Sequence, residues 1–188
     1  MRLWPKIRSA LPALSVVVVV AAAAVVWQNL PTPTDINGPF DVHAQAGAAA
    51  TGRAVTATVT GVRIAPQVNS IQAAGLWVVV DTTLEATRTT ELPHSELIIG
   101  PNTYIPTDRF FVKTLKAEIN PGIAQRGAWV FDVASALLAT GASEPLTLRV
   151  WVGDGRLDSR LVIRIPADDP RVSRADAVKL EAPVESAS

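Results

Sequence analysis

The chain predicts an all-β sandwich standing behind one N-terminal transmembrane helix, and three features of the sequence carry that prediction. Between Phe40 and Ile165, apolar residues recur at every second position rather than at helical spacing. Gly, Pro and Asn turn signals divide this stretch into seven or more short strands. Ahead of it, Ala10–Trp27 runs for 18 residues without a charge.

That apolar run, ALPALSVVVVVAAAAVVW, would make a helix roughly 27 Å long, close to the ~30 Å hydrocarbon core of a bilayer. Arg2, Lys6 and Arg8 precede it and the first acid is Asp35, so the positive-inside bias predicts a cytoplasmic N-terminus. Trp4 and Trp27 stand at its ends, where interfacial indoles are expected. The alternative is a cleaved signal peptide, whose apolar region is usually about 7–15 residues. Cleavage within Ala21–Ala24 would leave Val25, Val26 and Trp27 exposed, so an uncleaved anchor is preferred. The expected organisation is a cytoplasmic basic tip at 1–9, the anchor at 10–27 and a Pro-rich spacer at 28–39. A sandwich outside the cytoplasm at 40–165 and a polar tail at 166–188 complete it.

The strands follow in order. Val55, Ala57 and Val59 alternate with threonines, and Leu76–Leu84 is a stronger run led by Gly75. Leu97–Ile99 meets the Gly100-Pro101-Asn102 turn and resumes at Thr103–Ile105, with further strands at Arg109–Val112 and Ala128–Val133. One short helix is expected at Ala134–Thr140. A two-residue Asp154-Gly155 turn predicts a hairpin pairing Val152 with Leu157, Val150 with Ser159, Leu148 with Leu161 and Leu146 with Ile163. That register would set Trp151 opposite Asp158 and Arg149 opposite Arg160. The tail, whose apolar residues are Val172, Val178, Leu180 and Val184, is expected to be disordered apart from a helical turn near Arg174–Leu180.

Gly75-Leu-Trp-Val-Val-Val-Asp81, Leu97 with Tyr104 behind its turn, Asn120-Pro-Gly122 and Gly127-Ala-Trp-Val-Phe-Asp-Val133 fall in a familiar order. Across Phe40–Ile165 the chain resembles the bacterial immunoglobulin-like domain of unknown function found in Gram-positive and actinobacterial lipoproteins and secreted antigens. The resemblance implies an immunoglobulin-like sandwich and carries no catalytic residues. Many members have a lipid-bearing cysteine; here the helix would serve as the anchor. Thirteen arginines to four lysines, with abundant Ala and Val, fit a high-GC actinobacterial source.

Charge and composition narrow the function. Setting aside the three N-terminal cations from 17 basic residues against 17 acids leaves a mildly acidic body, unsuited to nucleic acid. Without cysteine there is no disulfide, thiol nucleophile or thiolate metal site. His43 and His94 lie far apart in sequence, and no serine occupies a strained nucleophile turn. Asp154 and Asp158 lack calcium-loop spacing, and Asp168-Asp169 reads as solvated tail. No catalytic residue, metal or cofactor is therefore expected. Arg149, Trp151 and Arg160 form the one candidate interaction surface, an indole between guanidiniums. The expected function is a non-enzymatic adaptor acting on a cell-envelope protein complex of transport or wall assembly, held to the bilayer through residues 10–27. A sensor or carrier for a small anion or lipid is the alternative, and strand addition at an open edge is the expected contact mode.

Overall fold

The computed structural model describes residues 4–30, 37–139, 141 and 143–187, with side chains of the first helix described from Leu14 onward. The expected tip at 1–9 and spacer at 28–39 fall partly outside those residues. The chain divides into two units, residues 1–38 and 39–188. In the first, α1 spans Trp4–Gln28, and Asn29 closes it by donating from Nδ2 to the Val25 carbonyl at 2.8 Å. Among the described residues, no helix is long and apolar enough to cross a membrane.

The second unit is a two-sheet β-sandwich. Its strands are β1 (Phe40–Gln45), β2 (Ala50–Thr51), β3 (Val55–Val68), β4 (Ile71–Ala86), β5 (Pro93–Ile99), β6 (Asn102–Tyr104), β7 (Ile123–Val133), β8 (Leu146–Val152), β9 (Ser159–Ile165), β10 (Val172–Arg174), β11 (Ala177–Val178) and β12 (Val184–Ala187). One sheet is ordered β1-β9-β8-β5-β6, and the other β10-β3-β4-β7-β12, with β2 and β11 also on β3. The strict alternation of β5, β8 and β9 buries Leu97, Ile99, Leu148, Val150, Leu161 and Ile163 against Val78, Val80, Trp129 and Phe131 of the facing sheet. This interleaving of two inner faces is what the period of two foretells.

The longest element is the β3–β4 hairpin, where Asn69 and Ser70 adopt φ of 46° and 71°, the left-handed pair that a tight hairpin turn requires. Gly75 lies inside β4 rather than at its start, because β7 passes there: a Cβ would sit 2.1 Å from the Val133 carbonyl oxygen. Its amide donates to Asp132 Oδ1 at 3.0 Å.

Four expectations need correction. Arg109–Val112 is no strand; the chain makes a 3₁₀ turn at Phe111–Lys113, pinned because Phe110 packs edge-on against Trp77 with centroids 5.5 Å apart. The expected helix at Ala134–Thr140 is a 3₁₀ turn at Ser135–Leu138, and Thr140 lies outside the described residues. The tail is neither disordered nor helical. β10 and β11 run parallel to β3, and β12 antiparallel to β7. Val178 and Leu180 drop into a second core with Trp77, Val79 and Val130 on the outer face of the larger sheet. Those outward-facing apolar residues of β4 and β7 would otherwise meet water, so covering them is what orders the tail.

The terminal hairpin keeps its expected faces but not its register. Leu146 pairs with Ile165, Leu148 with Ile163 and Val150 with Leu161, a shift of two residues. An even shift preserves which side chains face inward. It exchanges Leu157, now 53% exposed at φ 52°, for fully buried Ile165. The loop from Gly153 to Asp158 replaces the two-residue turn, with Asp154 Oδ1 accepting from the Arg156 amide at 3.0 Å.

Candidate functional site

The outer face of the smaller sheet carries the residues singled out from sequence. The registers of β5, β8, β9 and β1 lay them in rows. Glu96, Arg149, Val162 and His43 form one row. Continuing the β8–β9 register one residue beyond Val150 and Leu161 gives the next, His94, Trp151, Arg160 and Asp41. Arg149, Trp151 and Arg160 are thus brought onto one face, but not in the arrangement expected. Arg149 faces Val162 instead of Arg160, so the like-charge pair across the ladder does not exist.

Each of the three has a partner. Arg160 makes a two-pronged ion pair with Asp41, Nε to Oδ1 at 2.8 Å and Nη2 to Oδ2 at 3.0 Å. Arg149 Nη1 donates to Glu96 Oε1 at 2.9 Å, while its buried Nε has no protein acceptor. Trp151 stacks on His94, ring centres 5.9 Å apart and planes inclined by 26°. Asp158 and Glu144, the acids nearest in sequence, are not the ones that pair with these arginines. His43 and His94 share the face but stand three strands apart, roughly 14 Å at ordinary strand spacing, too far to share an ion. Among the described residues no cluster of three or more potential metal ligands occurs.

A groove that sequence reasoning missed opens at the free edge of β5. On that edge Leu97–Ile99 pair with β6, and Glu91 exchanges hydrogen bonds of 3.0 and 2.8 Å with Ile119. Between these two closures the pairing lapses over Pro93–Glu96. Side chains of Pro93, Ser95, Leu97 and Ile99 share the inner face, and the ladder alternation turns the main-chain groups of Ser95 to the unpaired edge. Pro93 is suited to such an edge because it has no N–H to leave unmatched.

The chain between β6 and Ile119 makes the other wall. It swings away from β5 to the facing sheet, where the Thr107 amide donates to the Val130 carbonyl at 2.8 Å and the Leu115 amide to that of Ala128 at 3.0 Å. Trp129 Nε1 donates to the Leu115 carbonyl at 2.8 Å, fixing the floor. The resulting groove measures about 510 Å³, within the range of ligand sites, and Trp151 and His94 stand at its rim. Ser95 lines it at only 7% exposure, and its hydroxyl has no hydrogen-bond partner. Ile105 and Phe111 line it while remaining exposed, Ile105 to 80%. Lys116 pairs with Asp108 and lies 5.8 Å from the Phe111 ring centre; burial lowers its pKa below the ordinary lysine value. The sequence reading begins this strand at Leu97; the signal that could have found the site is Pro93, a residue suited to an unpaired strand edge.

Comparisons with known proteins add little beyond the architecture. No family model and no curated protein matches the chain. Among solved structures, an uncharacterized beta-sandwich protein from Clostridium difficile 630 is similar at 14% identity and a TM-score of 0.45. That likeness covers 72% of this chain and 99% of the other.

Proposed function

We propose that the protein is a non-enzymatic binding or adaptor module, tethered to the membrane by its N-terminal helix and acting on a protein complex of the cell envelope. The observation that carries the binding reading is the groove along Pro93–Glu96. There an unmatched hydroxyl, an open strand edge and apolar walls converge in a space of ligand size.

Two further features support the setting. The 25-residue α1 contains the charge-free Ala10–Trp27 run, and its valines from Val16 to Val20 are exposed. A helix apolar on every side is either a core helix or a membrane span. The two-sheet order supports the β-sandwich that the strand motifs predict. The alternative is a sensor or carrier for a small anion or lipid; its anion form is weakened because Arg149 and Arg160 are already neutralised by Glu96 and Asp41.

Cross-linking of the full-length protein in its native membrane, with mass spectrometry of what co-purifies, tests this reading. A reproducible envelope complex, lost when residues 39–188 are replaced by an unrelated domain, is the expected result. Recovery of a freely released chain without partners would overturn it. Retention in the pellet after alkaline carbonate washing checks the tether separately.

A further inference from the structure

From the break in strand pairing at β5, we infer that the groove binds a short extended peptide of a partner protein, which adds as an antiparallel strand opposite His94, Ser95 and Glu96. This deepens the binding reading and rests on it. Direction follows from the edge itself, because β6 and the Ile119 bridge are both antiparallel to β5 where they close the gap. A segment continuing that ladder meets the same geometry.

The register assigns a chemistry to each position. A residue opposite Ser95 exchanges both main-chain hydrogen bonds with it and projects its side chain inward. It then stands beside the unmatched Ser95 Oγ, with Leu115 and Trp129 behind. Threonine satisfies both demands, its hydroxyl bonding Ser95 Oγ and its methyl meeting the apolar floor. The preceding residue projects outward beside the Glu96–Arg149 ion pair, whose charges already cancel, and takes an uncharged polar side chain such as glutamine. The following one projects outward beside His94 and Trp151 and takes an apolar side chain. The two closures, Tyr104 on Leu97 and Ile119 on Glu91, limit the fit to about four residues. A long strand is excluded and a short linear motif is selected.

The probe is the blocked tetrapeptide acetyl-Gln-Thr-Val-Ala-amide, which spans Glu96 to Pro93, titrated against the full-length chain in lipid nanodiscs and compared with the same peptide N-methylated at threonine. N-methylation removes the N–H that Ser95 would accept while leaving every side chain in place. The expected result is saturable binding that weakens about tenfold or more on N-methylation. Ser95→Ala is expected to weaken the unmodified peptide in the same direction. Equal affinity for both peptides, or binding unaffected by Ser95→Ala, would place the contact elsewhere and overturn the inference. So would no binding at all. If the peptide fails while the native cross-linked complex is still recovered and still needs residues 39–188, only strand docking falls. If the complex is also absent, the binding reading falls with it.

Discussion

Ser95 holds a hydroxyl that folding removes from water without giving it a partner. A buried hydroxyl in that position costs on the order of 1–3 kcal/mol, so deleting it is favourable to the fold taken alone. Ser95→Ala is therefore expected to leave urea stability unchanged or raise it by up to about 1 kcal/mol, even as it weakens peptide binding. Loss of stability would mean that the hydroxyl has a structural partner. Arg160 offers the contrast. Its ion pair with Asp41 is well formed yet partly open to solvent, and Arg160→Ala is expected to cost less than about 1 kcal/mol in the same urea experiment. Lys116 gives a pH signature. Its pKa is lowered in the folded state, so below that value both states are protonated and the cost of burying the ammonium is fully present. Above it, the folded amine sheds its proton while the unfolded one, near ~10.4, keeps it, and stability rises with pH across that window. Urea melts from neutral pH toward pH ~10 should show this rise, and Lys116→Met should flatten it.

At the scale of elements, the C-terminal strap decides whether the outer face of the larger sheet is covered. Leu180 is 1% exposed, its amide donates to Asn69 Oδ1 at 2.9 Å and its carbonyl accepts from Lys113 Nζ at 3.4 Å. Leu180→Ala is expected to cost about 2–5 kcal/mol and to make residues 172–187 the first site of limited proteolysis. Cleavage beginning elsewhere would show that the strap is not held at this point. The strap was hidden from sequence because Val172, Val178 and Leu180 are too sparse to show a period. Their partners, Trp77, Val79 and Val130, sit in strands whose continuous apolar runs signal burial on both faces without naming what covers the second. The hairpin register was missed for a related reason. Asp154-Gly155 is a strong local turn signal, but moving the pairing by two residues keeps the inward set and buries Ile165 in place of Leu157. The local turn preference loses to burial of an isoleucine, worth about 1.5–3 kcal/mol. Pro93–Glu96 of β5 reads in sequence as a loop, whereas alternation in β8 and β9 was legible because each has one buried face, and it placed Arg149, Trp151 and Arg160 together. Their acid partners on β1 and β5 come from distant strands, and no spacing rule reveals them. The groove was illegible for the same reason: it is a lapse in pairing between β6 and Ile119, and pairing is not written in any single segment.

At the scale of the molecule, both sheets end in open edge strands, but the lapse along β5 is bordered by a groove of ligand size and an unmatched hydroxyl, and binding is assigned there. The claim is local, so its most direct test is local too. A photo-reactive benzoylphenylalanine placed at Ile105, exposed on the groove, is compared with one at Glu185 on β12 of the other sheet, both in the full-length chain in its native membrane. One discrete envelope-protein adduct is expected from position 105, suppressed by excess acetyl-Gln-Thr-Val-Ala-amide, and none from position 185. No adduct at 105, or the same adducts from both positions, would contradict it.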